Sequence, residues 1–459
     1  MTHPLNPVAR PGAAQFDAIA AFALDPDLDV PEDALRHTAT LLIDTLGVAA
    51  GATRLEVGRI ARDFAAEFYP GRPGHTAAML FDGRKVSPPG AAWALATQID
   101  NLDGHDGLME TKGHIGCAVV PALFALAAQK PDISGRDALR AMAMAYELAA
   151  RAGLALHATV SDYHTSGAWN ALGVAAMACR MAGQDTGVLR HALGIAEYHG
   201  PRSQMMREID NPTMLHDGSG MGALVGVKAA LLAERGFTGA PAITVEAPEV
   251  AAFWADLGTR WTVTDNYVKP YPTCRWGHPA IDAMRLMMTQ HGIGHANVAA
   301  VKIRTFDQAA RLFSGMPNST TEAQYSMHFA VATMLRHGEL APKHIEGAAL
   351  SDPDIAALIP RISVEASAPH NARFPEGRWS DIDVTLTDGR VLRSGDVPAS
   401  GGPGAWRPDA DVEAKFLSFC DGVLSPRRAQ AIWTMRDRML EPDTKLKDLT
   451  DLVTDPGDV

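Results

Sequence analysis

One polar segment of the chain, which runs from Asp100 to Gln129, precedes an almost uninterrupted apolar stretch (DNLDGHDGLMETKGHIGCAVVPALFALAAQ). Its first half contains the titratable residues Asp100, His105, Lys112 and His114. Its second half predicts a buried helix that begins near His114, and the free N–H groups at a helix start favour an anion. The segment therefore predicts a site that binds a carboxylate and transfers a proton. A solvated loop that caps a core helix is the alternative interpretation.

Four further segments combine polar side chains with glycine or proline. They contain His164 (YHTSG), His216 (NPTMLHDGSGMG), Lys269 with Arg275 and His278 (YVKPYPTCRWGH), and Tyr325 (EAQYSMHF). Histidine has an ordinary pKa of about 6.5 and suits proton transfer at neutral pH. Removal of a proton α to a carboxylate builds charge on oxygen, which cations in a dry site stabilise. The residue types thus predict acid–base chemistry on a carboxylic acid. His164 also suits a structural role as a helix cap.

The possible metal ligands do not have the spacing of familiar metal sites. Asp100, Asp103 and Asp106 recur at every third position, whereas the acids of a calcium loop alternate. The four cysteines are far apart and form no CxxC pair. A zinc site built from His105, His114 and an aspartate lacks the HExxH pattern. The sequence therefore predicts neither a metal nor another cofactor.

Length and charge restrict the class of protein. A chain of 459 residues is too long for one small core, so two domains, or one large domain with a lobe, are expected. The formal net charge of -12 argues against nucleic acid or an anionic membrane as the main partner. The chain contains no apolar run of about 18 residues and does not open with a signal-peptide pattern. A cytoplasmic enzyme that acts on a small molecule is expected.

The predicted elements fall into three segments. Helical patterns rich in alanine and glycine fill most of the chain up to Asn266. Strand-like runs follow (VAAVKIRTF, RISVEAS and SDIDVTLTDGRVLRSGDV), the last with a hairpin turn at Asp388-Gly389. Helical patterns return after a glycine- and proline-rich stretch. We predict a mainly α fold with an inserted α+β domain: an all-α domain (1–266), an α+β lid (267–405) and C-terminal helices that rejoin the first domain (406–459).

Six segments together resemble the MmgE/PrpD (2-methylcitrate dehydratase) family, which includes cis-aconitate decarboxylase and iminodisuccinate epimerase. The segments occur in the family's order between about residues 16 and 450: IDTLGVAAGA, AAWALATQIDNLDGHD with KGHIGCAVVPALFALA, YHTSGAWNALGVAAMA, GSGMGALVGVKAALLAERGFTGAP, YVKPYPTCRWGHPAID and EAQYSMHFAVATML. The resemblance implies a large all-α domain, an α+β lid, a homodimer and a site in the cleft between the two domains. It also implies cofactor-free chemistry on small di- or tricarboxylic acids.

The resemblance matches Asp100, His114, His164, Lys269 and His278 to site residues of the family. With the residues selected for their chemistry, the predicted catalytic residues are Asp100, His114, His164, His216 and Lys269. The predicted substrate-binding residues are His105, Lys112, Arg275, His278 and Tyr325. Two features depart from the family pattern: many members carry lysine where this chain has His216, and the loop between the aspartates and His114 is longer than usual. We interpret His216 as a proton-transfer residue and Lys269 as the residue that holds a substrate carboxylate.

Three reactions use this set of residues. A dehydratase removes a proton α to a carboxylate and expels a β-hydroxyl as water, and this lyase is the leading prediction. An epimerase or isomerase returns the proton to the other face of the same carbanion. A decarboxylase needs only stabilisation of the carbanion. A catalytically silent relative that binds a small anion is the alternative from another class of protein.

Overall fold

The computed structural model describes residues 12–402 and 407–455, and within them the chain is mainly helical. The helices of the first part are α1 (Ala13–Leu24), α2 (Glu32–Gly51), α3 (Glu56–Phe68), α4 (Pro88–Asp100), α5 (Gly116–Ala127), α6 (Gly135–Thr159), α7 (Gly167–Ala182), α8 (Thr186–His199), α9 (Met205–Asp210), α10 (Ser219–Glu234) and α11 (Ile243–Glu246). The later helices are α12 (His278–His291), α13 (Asp307–Ala310), α14 (Thr320–Gln324), α15 (Met327–His337), α16 (Pro353–Leu358), α17 (Ala368–Asn371), α18 (Asp409–Cys420), α19 (Pro426–Arg438) and α20 (Leu446–Thr454). The strands are β1 (Ala77–Ala78), β2 (Lys85–Val86), β3 (Val298–Thr305), β4 (Ile362–Ala366), β5 (Trp379–Leu386), β6 (Val391–Arg393) and β7 (Val397–Pro398).

Small side chains allow the central helices to pack closely. Helix α10 lies against α4, α7 and α8, and α5 contacts both α4 and α7. A Cβ atom on Gly173 of α7 would lie 2.4 Å from the carbonyl oxygen of Ala145, and one on Gly226 of α10 would lie 2.5 Å from Val174. Both distances are far below van der Waals contact, so only glycine fits at these crossings. Helix α5 is almost wholly buried at the centre of this group.

A five-stranded mixed sheet forms the smaller α+β part. Its strands lie in the order β4-β3-β5-β6, and β7 pairs with β5. Strands β3 and β4 are parallel, whereas β3–β5 and β5–β6 are antiparallel. Alternate residues of β5 are buried, and α12 packs against this strand. The three strand-like runs and the hairpin turn at Gly389 (φ 89°) are therefore confirmed.

The C-terminal helices α18 and α19 return to the first helical part, where both contact α2. The Lys415 ammonium of α18 donates to both carboxylate oxygens of Asp44, at 2.7 and 2.8 Å. It also donates to the carbonyl oxygen of Gly104 at 2.7 Å. The mainly α fold with a smaller α+β part agrees with the prediction. The three-segment division stays a prediction, and its boundary at residue 405 lies outside the described residues.

Across the described residues, every helix is either too short or too polar to form a transmembrane span.

Candidate active site

The loop between α4 and α5 is buried, so the alternative of a solvated loop is wrong. Every residue from Asn101 to Leu108 is buried. The backbone of Gly107 pairs with that of Tyr267, with N–H to O=C distances of 3.1 and 2.8 Å. Asp103 and Lys112 adopt positive φ angles of 54° and 56°, which L-residues rarely adopt. The loop is thus an ordered, buried segment whose backbone is held in place by its pairing with Tyr267.

His114 presents one free ring nitrogen to a crevice between the helical part and the sheet part. Its Nδ1 donates to the carbonyl oxygen of Asp106 at 2.6 Å, so the lone pair of the neutral ring lies on Nε2. Burial, followed by the nearby charge of Lys269, holds the pKa of His114 well below its usual value. His114 is therefore a neutral imidazole at physiological pH, with Nε2 ready to accept a proton.

Asp217 lies beside that free nitrogen, with Oδ2 3.4 Å from Nε2 of His114. Burial, followed by the charge of Asp103, raises the pKa of Asp217 to about 6. Because Nε2 carries no proton, a hydrogen bond between the two side chains requires a protonated Asp217. Below a pH of about 6 the pair therefore holds one proton, which Asp217 carries.

Lys269 is fully buried and contacts Asp103. Its ammonium donates to the carboxylate of Asp103 and, at 3.1 Å, to the carbonyl oxygen of the same residue. Burial lowers the pKa of Lys269, but Asp103, Tyr267 and Cys274 together outweigh burial and the pKa is raised. An ammonium has three donors. One N–H of Lys269 is therefore available to a substrate oxygen after both Asp103 contacts are made.

Arg275, Arg378 and Lys112 complete the cationic side of the crevice. Arg275 donates to the carbonyl oxygens of Ser400 and, at 3.2 Å, Ala399, and its guanidinium lies 4.2 Å from the ring centroid of Tyr267. Burial lowers the pKa of Arg275 to about 10, so it remains charged. Arg378 donates to the carbonyl oxygen of Pro375 at 2.7 Å. Within the described residues, neither arginine has a carboxylate oxygen within 4 Å.

The crevice itself is narrow, with a volume of about 20 Å³, which is room for about one water molecule. Its lining consists of Asp103, Lys112, His114, Tyr163, Met205, Asp217, Tyr267, Lys269, Cys274, Arg275, Trp276, Tyr325 and Arg378. Five of the ten residues selected from the sequence therefore meet here: Lys112, His114, Lys269, Arg275 and Tyr325. The other five lie outside the lining.

Asp100 caps a helix instead of facing the crevice. Its Oδ2 accepts from the backbone N–H of Ser219 at 3.0 Å, and its Oδ1 accepts from the Ser219 hydroxyl at 3.2 Å. Ser219 is the first residue of α10, so the carboxylate satisfies a free N–H of that helix. Burial, followed by the charge of Asp217, holds the pKa of Asp100 well above its usual value. Asp103, three residues later, occupies the wall of the crevice.

His216 borders a different cavity, of about 660 Å³, whose wall also contains Asp100 and Glu208. The imidazole packs edge-on against Tyr325 at 5.5 Å, and its Nδ1 lies 3.9 Å from a carboxylate oxygen of Glu208. Burial, followed by the charge of Lys269, lowers the pKa of His216 to about 3. Tyr325 therefore lies in contact with His216 while lining the crevice. The proton-transfer role of His216 stays a prediction.

Two other predicted histidines lie outside the crevice. Nε2 of His278 hydrogen-bonds to the carbonyl oxygen of Thr273 at 3.0 Å, which leaves Nδ1 to face the guanidinium of Arg275 at 3.4 Å. His278 thus helps to position Arg275. The backbone N–H of His164 donates to His157 at 3.2 Å, and burial, followed by the charge of Arg202, lowers the pKa of His164.

His105 is shared by two groups of possible metal ligands. Asp100 and Cys117 form one group with it, and Asp103 and His114 form the other; the ligand atoms of each group lie within 4.8 Å of one another. In the second group Asp103 already contacts the Lys269 ammonium, which would repel a metal cation. In the first group the Cys117 thiol donates to Ser219 at 3.1 Å. The prediction of no metal stays a prediction.

Sequence reasoning did not select several lining residues. Asp217 follows His216 directly, and Tyr267 belongs to the same motif as Lys269, so both had a local signal. Arg378 had none, because GRWSDIDV is an ordinary strand sequence with a basic residue at its start. Tyr163 likewise had no signal beyond its position next to His164.

Comparison with known protein families identifies the chain. The MmgE/PrpD N-terminal domain matches residues 17–255, and the MmgE/PrpD C-terminal domain matches residues 271–440. The protein belongs to the MmgE/PrpD family. Membership in this family suggests dehydratase-type activity on small acids. No curated protein matches the sequence closely enough to name a relative.

Proposed function

We propose that the protein is a cofactor-independent lyase that dehydrates a small di- or tricarboxylic acid. The observation that carries this proposal is the free Nε2 of His114, which lies 3.4 Å from Asp217 in a buried crevice with Lys269. A neutral base, a protonated acid and a set of cations are the three requirements for removing a proton α to a carboxylate and expelling a hydroxyl.

The cations of the crevice have two roles: the arginines bind the substrate carboxylates, and Lys269 stabilises the negative charge that develops during the reaction. Arg275 and Arg378 have no carboxylate partner among the described residues and suit the substrate carboxylates. Lys269 is already neutralised by Asp103, and its remaining N–H suits the oxygen on which charge develops. This assignment modifies the sequence-based hypothesis that Lys269 holds a ground-state carboxylate.

The His114–Asp217 contact completes a proton cycle. His114 removes the α-proton through Nε2, and Asp217 gives its proton to the departing β-hydroxyl, so that the C–O bond breaks and water leaves. The His114 imidazolium then returns a proton to the Asp217 carboxylate across 3.4 Å, which restores the initial state. Protons and electrons balance: the substrate loses water and gains a carbon–carbon double bond.

The same contact supports dehydration over epimerisation. Two groups only 3.4 Å apart address the same side of a substrate, whereas epimerisation requires an acid on the opposite face. The epimerase is therefore the second candidate, and a decarboxylase, which needs no base, is the third.

Proton NMR in heavy water tests the proposal with the purified chain and a panel of hydroxy-, amino- and unsaturated di- and tricarboxylic acids. Vinyl signals from a hydroxy acid are expected. Deuterium that enters an α-position without a new skeleton would replace the dehydratase with an epimerase. Loss of a carboxylate would indicate a decarboxylase. Binding of an acid without any change would indicate the silent anion-binding relative.

The proposal also includes a homodimer, as the family resemblance implies, and a cytoplasmic location, as the general properties of the sequence suggest. Light scattering on a sizing column is expected to give twice the chain mass of 48.9 kDa. A mass equal to one chain would contradict this part of the proposal.

A further inference from the structure

A cavity of about 750 Å³ adjoins the narrow crevice. Lys112 and Arg378 line both spaces, so they mark the junction between the crevice and this cavity. Only 5% of the surface of Arg378 is exposed, and no carboxylate among the described residues forms an ion pair with it. A buried guanidinium without a counter-ion favours an anion from outside the chain. The junction is therefore built for an acidic group.

The rest of the cavity wall is mainly apolar. Leu108, Met109, Pro375, Trp379 and Pro398 supply apolar surface, and the ionisable residues Glu110, Arg260, Asp265 and Glu376 also line the cavity. The volume falls within the range of about 300–1,000 Å³ for pockets that hold drug-sized ligands, which are also mostly apolar with a few polar groups. The cavity is thus far larger than a small dicarboxylate needs.

The ionised groups at the rim of the cavity carry an excess of negative charge. Arg260 donates to Glu110 at 3.0 Å and to Asp265 at 3.0 Å, and Glu376 also lines the cavity. The rim therefore offers no attraction to a second anionic group. The free cationic charge lies at the inner end, beside the crevice.

One wall consists of the segment Leu108–Lys112, which belongs to the loop that is longer than the family pattern. Leu108 and Gly113 pair across its base, with N–H to O=C distances of 2.8 and 3.4 Å. Lys112 has a positive φ, and its carbonyl oxygen accepts a hydrogen bond from the Tyr163 hydroxyl. These two features fix the backbone of the turn at Lys112. Met109 is consequently held in the wall of the cavity by an ordered backbone.

We propose that this cavity is a substrate subsite for an apolar substituent of the acid, either alkyl or aryl, while the carboxylate and the reacting carbons lie at the junction with the crevice, beside Lys112 and Arg378. The inference rests on the proposed function. The crevice has room for about one water molecule, so the bulk of any larger acid extends past Lys112 and Arg378 into the cavity. The substrate class is therefore a carboxylic acid with an extended apolar group, not only a compact polycarboxylate.

A homologous series of hydroxy diacids tests the subsite in the full chain. The acids share the reacting carbons and differ in one substituent: hydrogen, methyl, propyl, pentyl or benzyl. Each buried methylene is expected to raise kcat/KM roughly fourfold, as the transfer of about 0.8 kcal/mol per CH₂ predicts. A kcat/KM that stays level or falls from methyl to pentyl would overturn the subsite.

A cavity-filling variant locates the effect. Met109→Trp is expected to lower the ratio of kcat/KM for the pentyl acid over the methyl acid by at least about tenfold, because the larger side chain occupies the space of several methylenes. Leu286→Trp is the matched control: Leu286 lies on α12, is 37% exposed and does not line the cavity. An unchanged ratio in a folded Met109→Trp protein would contradict the proposed location.

Failure of the subsite and failure of the lyase are distinguishable. If short acids react and longer substituents bring no gain, the lyase stands and the subsite is wrong. If no acid of the series reacts, the lyase is wrong, and calorimetric titration of the same acids still tests the subsite. A dissociation constant that falls roughly fourfold per methylene supports it, and one that is independent of length overturns it.

Discussion

The Nδ1 of His114 donates to the carbonyl oxygen of Asp106, 2.6 Å away, and this bond keeps the other ring nitrogen free of its proton. The two residues belong to one loop, so the loop conformation and the tautomer of the base are set together. Burial reinforces the effect, because it holds the pKa of His114 well below its usual value. The base is therefore ready for reaction without deprotonation by the solvent.

Substitution of His114 tests its role as the base. His114→Asn is expected to lower kcat by about 10²–10⁴-fold, which is the usual contribution of a positioned general base. The measurement is the initial rate on the best acid of the NMR panel, with circular dichroism to verify folding. His291→Asn, at the exposed end of α12, is the control and is expected to keep full activity. A folded His114→Asn protein with an unchanged kcat would remove His114 from the mechanism.

The pKa of about 6 for Asp217 predicts a pH dependence of activity. The proposed mechanism requires the protonated acid, so kcat/KM is expected to fall about tenfold per pH unit above pH 6. His114 gives no opposing limb near pH 6, because its pKa is well below the usual value. The check is a profile of kcat/KM from pH 5 to 9. A rate that rises through pH 6 would mean that Asp217 acts as a base.

The same group affects stability in a defined direction. The pKa of Asp217 is raised on folding, so its contribution to stability is present below the unfolded pKa of 3.8 and is lost as pH rises through about 6. Asp217→Asn carries no such charge and avoids this loss, which is of order 2–3 kcal/mol. Urea unfolding at pH 4 and pH 8 is the measurement. Relative to the native protein, the free energy of unfolding of the variant is expected to be higher at pH 8 than at pH 4. A lower relative free energy of unfolding at pH 8 would refute the raised pKa.

Asp100 and Asp103 are expected to respond differently to the same substitution. Asp100→Asn keeps an oxygen acceptor at the start of α10, where Asn and Asp cap about equally well, and is expected to change stability and kcat little. Asp103→Asn leaves the buried ammonium of Lys269 without its counter-ion and is expected to reduce kcat much more. The two variants form a matched pair for rate and unfolding measurements. A larger loss of kcat in Asp100→Asn would favour the role that the family resemblance assigns to Asp100.

Gly107 leaves no space for a side chain beside the base. A Cβ atom there would lie 2.5 Å from the hydroxyl of Tyr267 and 2.8 Å from Nδ1 of His114. Gly107→Ala is expected to displace His114, to lower kcat by at least about tenfold and to cost about 1–3 kcal/mol through overpacking. Gly294→Ala is the control, because nothing lies within 4 Å of its Cβ position. Rate and thermal unfolding are measured together, and full activity in Gly107→Ala would show that the loop tolerates the shift.

The sequence predicted the secondary structure of the site better than the direction of its side chains. The apolar pattern located α5 because this helix is almost wholly buried, and it located the strands because alternate residues of a strand such as β5 are buried. Aspartates at every third position, however, do not reveal which one faces a ligand. Helix α4 ends at Asp100, which leaves this carboxylate at the α10 terminus, and the positive φ of Asp103 turns the next one toward Lys269.

Long-range residues account for the rest of the difference. Arg378 lies at the start of β5, more than 250 residues from His114, and only the docking of the sheet part brings them to one crevice. His216 was selected for its residue type, yet its φ of 45° and the turn at Gly218 place its ring in the wall of the neighbouring cavity. Backbone conformations of this kind depend on tertiary packing and leave no periodic pattern in the sequence.

The bond from Lys415 to Gly104 also has a consequence for biosynthesis. The ammonium that contacts the loop of His114 belongs to α18 and lies 2.7–2.8 Å from its acceptors on Asp44 and Gly104. Lys415 follows the base, the acid and the cations of the crevice in the sequence, so it is synthesised after all of them. A nascent chain that stops before Lys415 lacks these hydrogen bonds, so the crevice is completed only after α18 has been synthesised.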